Sequence, residues 1–250
     1  MKRSAALFPI ALALGAITLA PWASTQAQDS REEGPIEIEK CQTISQPGSY
    51  KLVKNLTFTS SSGTCLTITA NFVTIDLAGF TISGPGNPNP FSGNTTTAVA
   101  AGNDTAGIAV RNGSISGFIV GVDLGGDGSI VEGLRVIGVD GPRNFGIIAT
   151  GIVKGNTVVG IIGLPGGGIG ISAVGIITGN FVTGNRFGGI EVGQGSTVIG
   201  NTSTDNFDPG IGIEVSCPSN VTDNTAVNNG RSLHRLLNGN GCNNTNNVAP

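Results

Sequence analysis

The stretch Ile152-Val153-Lys154-Gly155-Asn156-Thr157-Val158 decides the fold, because its pattern recurs along the second half of the chain. The pattern is a mostly apolar pair, one further residue, Gly-Asn, and a small or apolar pair. It returns as Ile176-Ile177-Thr178-Gly179-Asn180-Phe181-Val182, as Thr197-Val198-Ile199-Gly200-Asn201-Thr202-Ser203 and, with Asp in place of Gly, as Asn220-Val221-Thr222-Asp223-Asn224-Thr225-Ala226. The asparagines are separated by 24, 21 and 23 residues. A period of roughly 20 to 50 residues is typical of solenoids and related repeat folds.

A second pattern precedes the Gly-Asn units and reads Gly, apolar, any residue, then apolar or Ala. It occurs at Gly121–Leu124, Gly146–Ala149, Gly170–Ala173, Gly189–Val192 and Gly212–Val215. Such alternation predicts a half-buried strand whose second and fourth side chains point into the core. The third side chains are therefore expected on the outside, and they are Asp123, Ile148, Ser172, Glu191 and Glu214.

The segments between these strands are short, rich in Gly, Pro and Asn, and free of any amphipathic helical pattern. Parallel strands without long crossovers predict an all-β fold, a parallel β-helix in which each coil hydrogen-bonds to the next about 4.8 Å further along the axis. The repeat then stacks Asn156, Asn180, Asn201 and Asn224 as a ladder of amides; the alternative is that Asn merely suits a tight turn. Looser repeats at 72–82, 110–115 and 131–136 bring the total to about seven coils.

Residues 1–27 have the features of a secretory signal peptide. Lys2 and Arg3 supply a positive start, 7–19 is a short apolar stretch, and Thr25-Gln26-Ala27 offers a small-residue cleavage site. An uncleaved N-terminal anchor is the alternative, but the apolar stretch is too short and interrupted for a good membrane span. The sequence therefore predicts a secreted or periplasmic protein with no membrane span in the mature chain.

The predicted organisation is a signal peptide, an N-terminal cap, a β-helix with one inserted loop, and a C-terminal cap. These parts cover residues 1–27, 28–64, 65–230 with the loop at about 84–104, and 231–250, respectively. The loop is predicted because 84–104 contains three prolines and many Gly, Asn and Thr residues. The single histidine, His234, falls in the C-terminal cap and is not predicted to act as a general base.

The charge balance limits the partners. Removing 1–27 removes Lys2 and Arg3 and no acidic residue, which leaves 11 basic against 16 acidic residues and a net charge of −5. Nucleic acid needs a basic stripe that neutralises phosphates, so the sequence predicts no nucleic-acid partner. The same charge disfavours an anionic membrane surface.

The four cysteines form two separated pairs, one near each end of the repeat region. Export makes disulfides the expected state. We expect the bonds Cys41–Cys65 and Cys217–Cys242, each of which would contribute about 3 kcal/mol through loop-closure entropy. A zinc site is the alternative, but the chain has no CxxC and one histidine.

Asp76-Leu77-Ala78-Gly79-Phe80-Thr81-Ile82-Ser83, followed by the Gly-Asn repeats, resembles the secreted right-handed parallel β-helix proteins. These belong to the pectin-lyase-like superfamily, and the likeness is to chains built from parallel β-helix repeats. It covers about residues 40–230. The resemblance implies three strands per coil, right-handed winding and the Asn ladder, whereas the period alone also allows a left-handed helix.

Enzymes of this superfamily act on acidic polysaccharides in a groove along one strand face, so the resemblance implies a glycan site on the outward third positions and the adjoining loops. The candidate glycan-binding residues are Asp123, Arg143, Arg186, Glu191, Asp208 and Glu214. Glu191 and Glu214 fall on adjacent coils, where their carboxylates could share a proton or hold Ca²⁺. Calcium is the one cofactor that the sequence suggests. Arg186 could bind a uronate carboxylate in a bidentate contact. The alternative is that these side chains are solvated surface charges.

Two further rows follow from the same register. Arg111, Glu132 and Lys154 occupy one position in three successive coils, and their alternating signs predict a ladder of salt bridges. Thr157, Thr202 and Thr225 also share a register, which Phe181 interrupts. Ordered threonine arrays occur on ice-binding β-helices, so ice binding is a third functional hypothesis.

Motifs typical of the superfamily's enzymes are missing. The chain has no Asn-Thr-Asp, no Gly-His-Gly and no Asp-Pro-His-Asp, since Asp208-Pro209 continues as Gly210-Ile211. The sequence therefore favours a non-catalytic exported protein that binds extracellular or cell-envelope polysaccharide or acts as a surface scaffold. The alternative is a polysaccharide lyase or related carbohydrate-active enzyme on acidic glycans, because a lyase needs only a base and a group that neutralises a carboxylate.

Overall fold

Short strands joined by tight turns make up the regular structure, as the alternating sequence pattern predicts. The structure is a computed structural model that describes residues 34–86, 95–138, 144–163, 167–207, 210–230 and 241–249, together with the backbone of 236–238. No helix in this described part of the chain has the length and hydropathy needed to cross a membrane. The signal peptide, Arg143, Asp208 and His234 lie outside the described residues.

The strands within the described residues are numbered in chain order. The first eleven are β1 Ile36–Ile38, β2 Gln42–Ile44, β3 Gly48–Leu52, β4 Leu56–Thr57, β5 Gly63–Ile68, β6 Val73–Asp76, β7 Thr81–Ser83, β8 Thr96–Ala101, β9 Ala109–Ser116, β10 Val120–Ile137 and β11 Phe145–Lys154. The others are β12 Thr157–Val159, β13 Ile169–Thr178, β14 Phe181–Thr183, β15 Gly188–Val192, β16 Thr197–Ile199, β17 Thr202–Thr204, β18 Ile211–Val215, β19 Asn220–Thr222, β20 Thr225–Val227, β21 Leu236–Asn238 and β22 Asn243–Thr245.

These strands wind into a right-handed parallel β-helix of about eight turns. Each turn contributes to three faces, and each strand pairs in parallel with the strand one turn later. In one turn, β15 lies on the first face, β16 on the second and β17 on the third. Strands β11 and β13 are longer because they continue around a corner from the first face to the second, and β10 continues further onto the third face.

The helix has about eight turns where the sequence predicted about seven, because it extends beyond both predicted ends. At the N-terminal end β1 pairs with β3 and β2 with β5, so the region predicted as a cap and lead-in already contributes strands to the coils. At the C-terminal end β21 pairs with β18 and β22 with β19. These outer coils lack a Gly-Asn turn, which is the feature that the sequence pattern recognises.

The predicted loop at 84–104 is shorter than its composition indicated. Its residues 96–101 form β8, which pairs with β5 on one side and β10 on the other. Ala98 and Val99 of this strand are fully buried. In a run of Thr and Ala the inward and outward residues differ little in hydrophobicity. The sequence therefore shows no clear alternation of apolar and polar residues here.

Columns of aliphatic side chains fill the interior. On the first face Val122, Ile147, Ile171, Ile190 and Ile213 follow one another in register, and each has 0% of its surface exposed. Full burial of such a side chain contributes about 1.5–3 kcal/mol. The repeated column therefore supplies much of the driving force for winding.

A column of glycines precedes this aliphatic column, and steric crowding explains it. A Cβ placed on Gly170 would lie 2.7 Å from the carbonyl oxygen of Gly189 and closer still to Val182 Cγ1. The carbonyl of the next coil crowds Gly121, Gly146 and Gly189 in the same way, whereas Gly212 is crowded by the side chains of Asn229 and Ala226. The Gly that opens the upstream sequence pattern is thus required because a side chain there would clash.

The asparagines of the Gly-Asn turns form a ladder. The side-chain amide of Asn156 donates to Oδ1 of Asn180 at 3.0 Å, Asn180 donates to Asn201 at 2.9 Å, and Asn201 donates to Asn224 at 3.0 Å. The ladder continues one coil further, to Asn247 at 3.0 Å. Each Asn also donates to a carbonyl on the preceding coil, as Asn180 does to Val153 at 2.9 Å. These buried amides are therefore hydrogen-bonded in both directions.

A second ladder lies five residues after the first and was missed in the sequence. Asn185 donates to Oδ1 of Asn206 at 2.9 Å, and Asn206 donates to Oδ1 of Asn229 at 2.7 Å. All three are almost completely buried. The signal was present, since Asn180, Asn201 and Asn224 are each followed by another Asn at the fifth position.

Both predicted disulfides are present, and each joins successive coils near one end of the helix. Cys41 and Cys65 have Cα atoms 4.5 Å apart, and the Cα atoms of Cys217 and Cys242 are 5.0 Å apart. Terminal coils have a neighbour on one side only, so a covalent link compensates for the missing contacts.

The predicted salt-bridge ladder is wrong, although its register is right. Arg111, Glu132 and Lys154 do occupy one column, but no described ion pair joins them. Arg111 Nε instead lies 3.6 Å from Oδ2 of Asp76, one coil earlier in the same column. Salt bridges between solvent-exposed side chains gain little free energy, so a shared register alone does not bring such side chains into contact.

Candidate functional site

The outward third positions of the first face form one column along the helix axis. Asp123, Ile148, Ser172, Glu191 and Glu214 follow one another in register on five successive coils. Glu191 and Glu214 are therefore direct neighbours, about 4.8 Å apart at the backbone. Asp123 lies three coils before Glu191 and is separated from it by Ile148 and Ser172.

An open groove of about 380 Å³ follows this column. Ile148, Ser172, Glu191 and Glu214 line it, together with the neighbouring corner positions. The corner positions are Thr150, Val174, Gly193 and Ser216. The lining combines carboxylates, hydroxyl groups and aliphatic surface, and Val174 has 42% of its surface exposed. Such a surface can accept and donate hydrogen bonds while covering an apolar face of a ligand.

A glycine makes room for the carboxylate of Glu191. Gly188 occupies a column whose neighbours on the adjacent coils are Ile169 and Ile211. A Cβ built on Gly188 would lie 3.2 Å from Oε1 of Glu191 and 3.8 Å from Cγ1 of Ile169. The carboxylate thus fills the gap where the adjacent coils carry isoleucine side chains. This half-buried placement depends on Gly188, which the sequence analysis did not single out.

The surroundings change the proton affinity of two acids. Burial, and secondly the negative charge of Glu214, raise the pKa of Glu191 above its ordinary value. Burial also raises the pKa of Asp123. Glu191 lines the groove and is therefore a candidate for binding or proton transfer, whereas Asp123 is not among the lining residues.

Arg186 does not join this column. Its Nη1 donates to the carbonyl oxygen of Gly163 at 2.9 Å, on the preceding coil, and the residue is not among those that line the groove. No described ion pair links Arg186 to Glu191 or Glu214. The predicted arrangement of Arg186 beside Glu191 as a uronate clamp is therefore absent from the described structure. Arg143 and Asp208 lie outside the described residues.

Calcium binding at the two glutamates stays a prediction. Within the described residues no three or more His, Cys, Asp or Glu side chains converge in a way that could hold a metal ion. Ca²⁺ takes six to eight oxygen ligands, so carbonyl, hydroxyl or water oxygens would have to complete a site at Glu191 and Glu214.

A second, smaller concavity lies at the corner between the first and second faces near the C-terminal end. Its volume is about 310 Å³, and Ser196, Pro218, Ser219 and Asn220 line it with Asn243 of the following coil. These groups are uncharged. Of the residues that line these two concavities, the charged ones are therefore Glu191 and Glu214.

Comparison with known proteins supports the fold and leaves the activity open. No family model matches the chain, and a search of curated proteins found no match. Among solved structures, Dettilon tailspike protein (gp208) is similar with a TM-score of 0.56 and 16% identity over 76% of this chain and 42% of that chain. The enzymatically active domain of bacteriophage CBA120 tailspike protein 2 matches with a TM-score of 0.43 and 16% identity, over 77% of this chain and 39% of that chain. The chain thus spans about two-fifths of the length of either tailspike chain.

Proposed function

We propose that this protein is an exported β-helix that binds polysaccharide along the first face. The groove beside Ser172, Glu191 and Glu214 supports this proposal most directly. Carboxylates accept hydrogen bonds from sugar hydroxyl groups, and serine and threonine hydroxyls both donate and accept them. An open groove that runs along the coil axis fits an extended chain better than a compact small molecule.

Export is part of the proposal. The features of residues 1–27 and the two disulfides support a secreted or periplasmic location, since disulfides persist in oxidising compartments. Cell fractionation of the full-length chain tests this location. Recovery of reduced, unprocessed protein from the cytoplasm would contradict it.

A glycan array probed with the labelled mature protein tests the binding function. We expect retention on a limited set of glycans and loss of at least about tenfold in affinity in the double variant Glu191→Gln/Glu214→Gln. Glu132→Gln is the matched control, because it removes one carboxylate from the second face. Absence of retention on every glycan, or equal retention of the double variant, would overturn the proposal.

A carbohydrate-active enzyme is the second candidate, and the position of Glu191 favours it. A carboxyl group whose pKa is raised by burial and by a neighbouring negative charge can serve as a general acid. The lyase form of this hypothesis has less support, since Arg186 is bound to Gly163 and lies away from the groove. Assays for new reducing ends and for the ultraviolet absorbance of unsaturated uronates distinguish hydrolysis from elimination. Turnover that is lost in Glu191→Gln would establish the enzyme, whereas binding without turnover favours the non-catalytic function.

A further inference from the structure

The charge of the groove points to the kind of glycan it accepts. Two carboxylates line it, and none of the described lining residues is Lys or Arg. The guanidinium of Arg186, which could have balanced them, is bound to the Gly163 carbonyl. A polyuronate placed here would bring like charges together, and such contacts are strongly unfavourable at an interface.

The geometry of the two glutamates suits a single cationic group. Because Glu191 and Glu214 are in register on adjacent coils, one ammonium group between them can donate to both carboxylates. Ile169 and Ile211 flank Gly188 in register, Oε1 of Glu191 lies over Gly188, and the Glu191 side chain is half-buried. Charge attraction is stronger in such a partly dehydrated position than at an open surface.

The neighbouring positions suit the rest of a sugar ring. Ser172, Thr150 and Ser216 offer hydroxyl groups, and Val174 offers exposed aliphatic surface. We propose that the groove selects glycans with free amino groups, that is, de-N-acetylated amino sugars, over their N-acetylated and uronate counterparts. This inference rests on the proposed glycan-binding function and names its ligand class.

Three oligosaccharides of equal length test the selection: oligomers of glucosamine, of N-acetylglucosamine and of a uronic acid. Isothermal titration at physiological ionic strength should give about tenfold or tighter binding of the glucosamine oligomer than of the N-acetylated one, and weakest binding of the uronate. In Glu191→Gln/Glu214→Gln the preference for the amine should fall to about twofold or less. Glu132→Gln should leave it unchanged.

The net negative charge of the chain makes non-specific attraction of polycations the competing explanation. Oligolysine is the probe for it, and we expect oligolysine not to displace the glucosamine oligomer at equal charge concentration. Displacement by oligolysine, or a preference for the amine that persists in the double variant, would overturn the inference.

The two failures are distinguishable. Binding of the N-acetylated or uronate oligomer as tight as that of the amine would overturn the amino-sugar selection and leave glycan binding intact. Failure of all three oligomers to bind, with no retention on the glycan array, would remove the proposed function and this inference together.

Discussion

Asn180 and Asn201 are joined by two hydrogen bonds to one oxygen: Oδ1 of Asn201 accepts the side-chain amide of Asn180 at 2.9 Å and its backbone N–H at 3.0 Å. Both residues have 1% of their surface exposed. The Asn201 side chain thus supplies an acceptor for the turn N–H of Asn180 on the preceding coil. The turn geometry and the stacking of coils are therefore secured by the same group.

Replacement of Asn180 by Ala should destabilise the protein by about 3 kcal/mol or more. The Val153 carbonyl loses the Asn180 side-chain amide, and the backbone N–H and side-chain amide of Asn156 lose their acceptor, Oδ1 of Asn180. Oδ1 of Asn201 keeps the Asn180 backbone N–H. Each buried polar group left unsatisfied costs about 1–3 kcal/mol. Denaturant unfolding measures the change.

Asn243→Ala is the matched control for that variant. Asn243 is exposed, and its amide makes a long 3.4 Å contact with Asn220. We expect a change within about 0.5 kcal/mol, as for most surface substitutions. Equal losses in both variants would show that the buried ladder has no special role in stability.

Gly170→Ala should destabilise the helix by about 1–3 kcal/mol, the usual cost of overpacking. The new methyl group would press on the Gly189 carbonyl of the next coil and on the buried side chain of Val182. Gly102→Ala is the control, because a Cβ there meets no atom within 4 Å. Thermal unfolding of the two variants should give a lower Tm for the first and a Tm close to that of the parent for the second.

The columns of the first face could be predicted from the sequence because they depend on periodicity. Once Gly-Ile-Glu-Val repeats at a fixed spacing, Glu191 and Glu214 must fall on one face of a β-helix and on adjacent coils. Alternation likewise places Ile190 and Ile213 inside. No long-range information is needed beyond the register.

The local environment of the site could not be predicted in this way. The half-burial of Glu191 depends on the absence of a side chain at Gly188 and on Ile169 and Ile211 on the neighbouring coils. The direction of the Arg186 side chain depends on the Gly163 carbonyl, which accepts its hydrogen bond. The repeat pattern does not specify the backbone conformation around Gly163. Ion pairing in the Arg111 column was mispredicted for a similar reason, since exposed side chains choose among several partners.

Glu191→Gln should stabilise the protein near neutral pH, and the effect should shrink as pH falls toward the ordinary pKa of a glutamate, about 4.3. A carboxyl whose pKa is raised on folding binds protons more tightly in the folded state than in the unfolded state. The stability of the parent therefore falls as pH rises through that folded pKa, and the amide removes this penalty.

Tm measured across this pH range tests the linkage, with Glu132→Gln as the control on another face. We expect the Tm difference between Glu191→Gln and the parent to grow with pH and that of the control to stay level. A difference that is constant with pH would mean that the carboxylate of Glu191 is as well solvated in the folded chain as in the unfolded one.

The last described coil is held by different forces from the interior coils. Asn244 of β22 occupies the register of the buried Val221, and Asn243–Thr245 are exposed, so this strand gains little from apolar burial. The Cys217–Cys242 disulfide links it to the preceding coil, together with side-chain hydrogen bonds between Asn224 and Asn247 at 3.0 Å and from Asn247 to the Val221 carbonyl at 2.8 Å, and with backbone bonds.

Removal of the C-terminal disulfide in Cys217→Ser/Cys242→Ser should therefore release this coil while the interior stays folded. A disulfide with a sequence separation of 25 contributes about 3 kcal/mol through loop closure, whereas a single hydrogen bond of this segment contributes about 0.5–1.5 kcal/mol. Hydrogen exchange should show faster exchange at 243–248 and unchanged protection at 190–198. In Cys41→Ser/Cys65→Ser the first coils should keep more protection, since Ile38 and Leu52 are fully buried there. Equal protection of 243–248 with and without the bond would mean that the Asn ladder and the backbone hydrogen bonds suffice to hold a strand whose inward residue, Asn244, is polar.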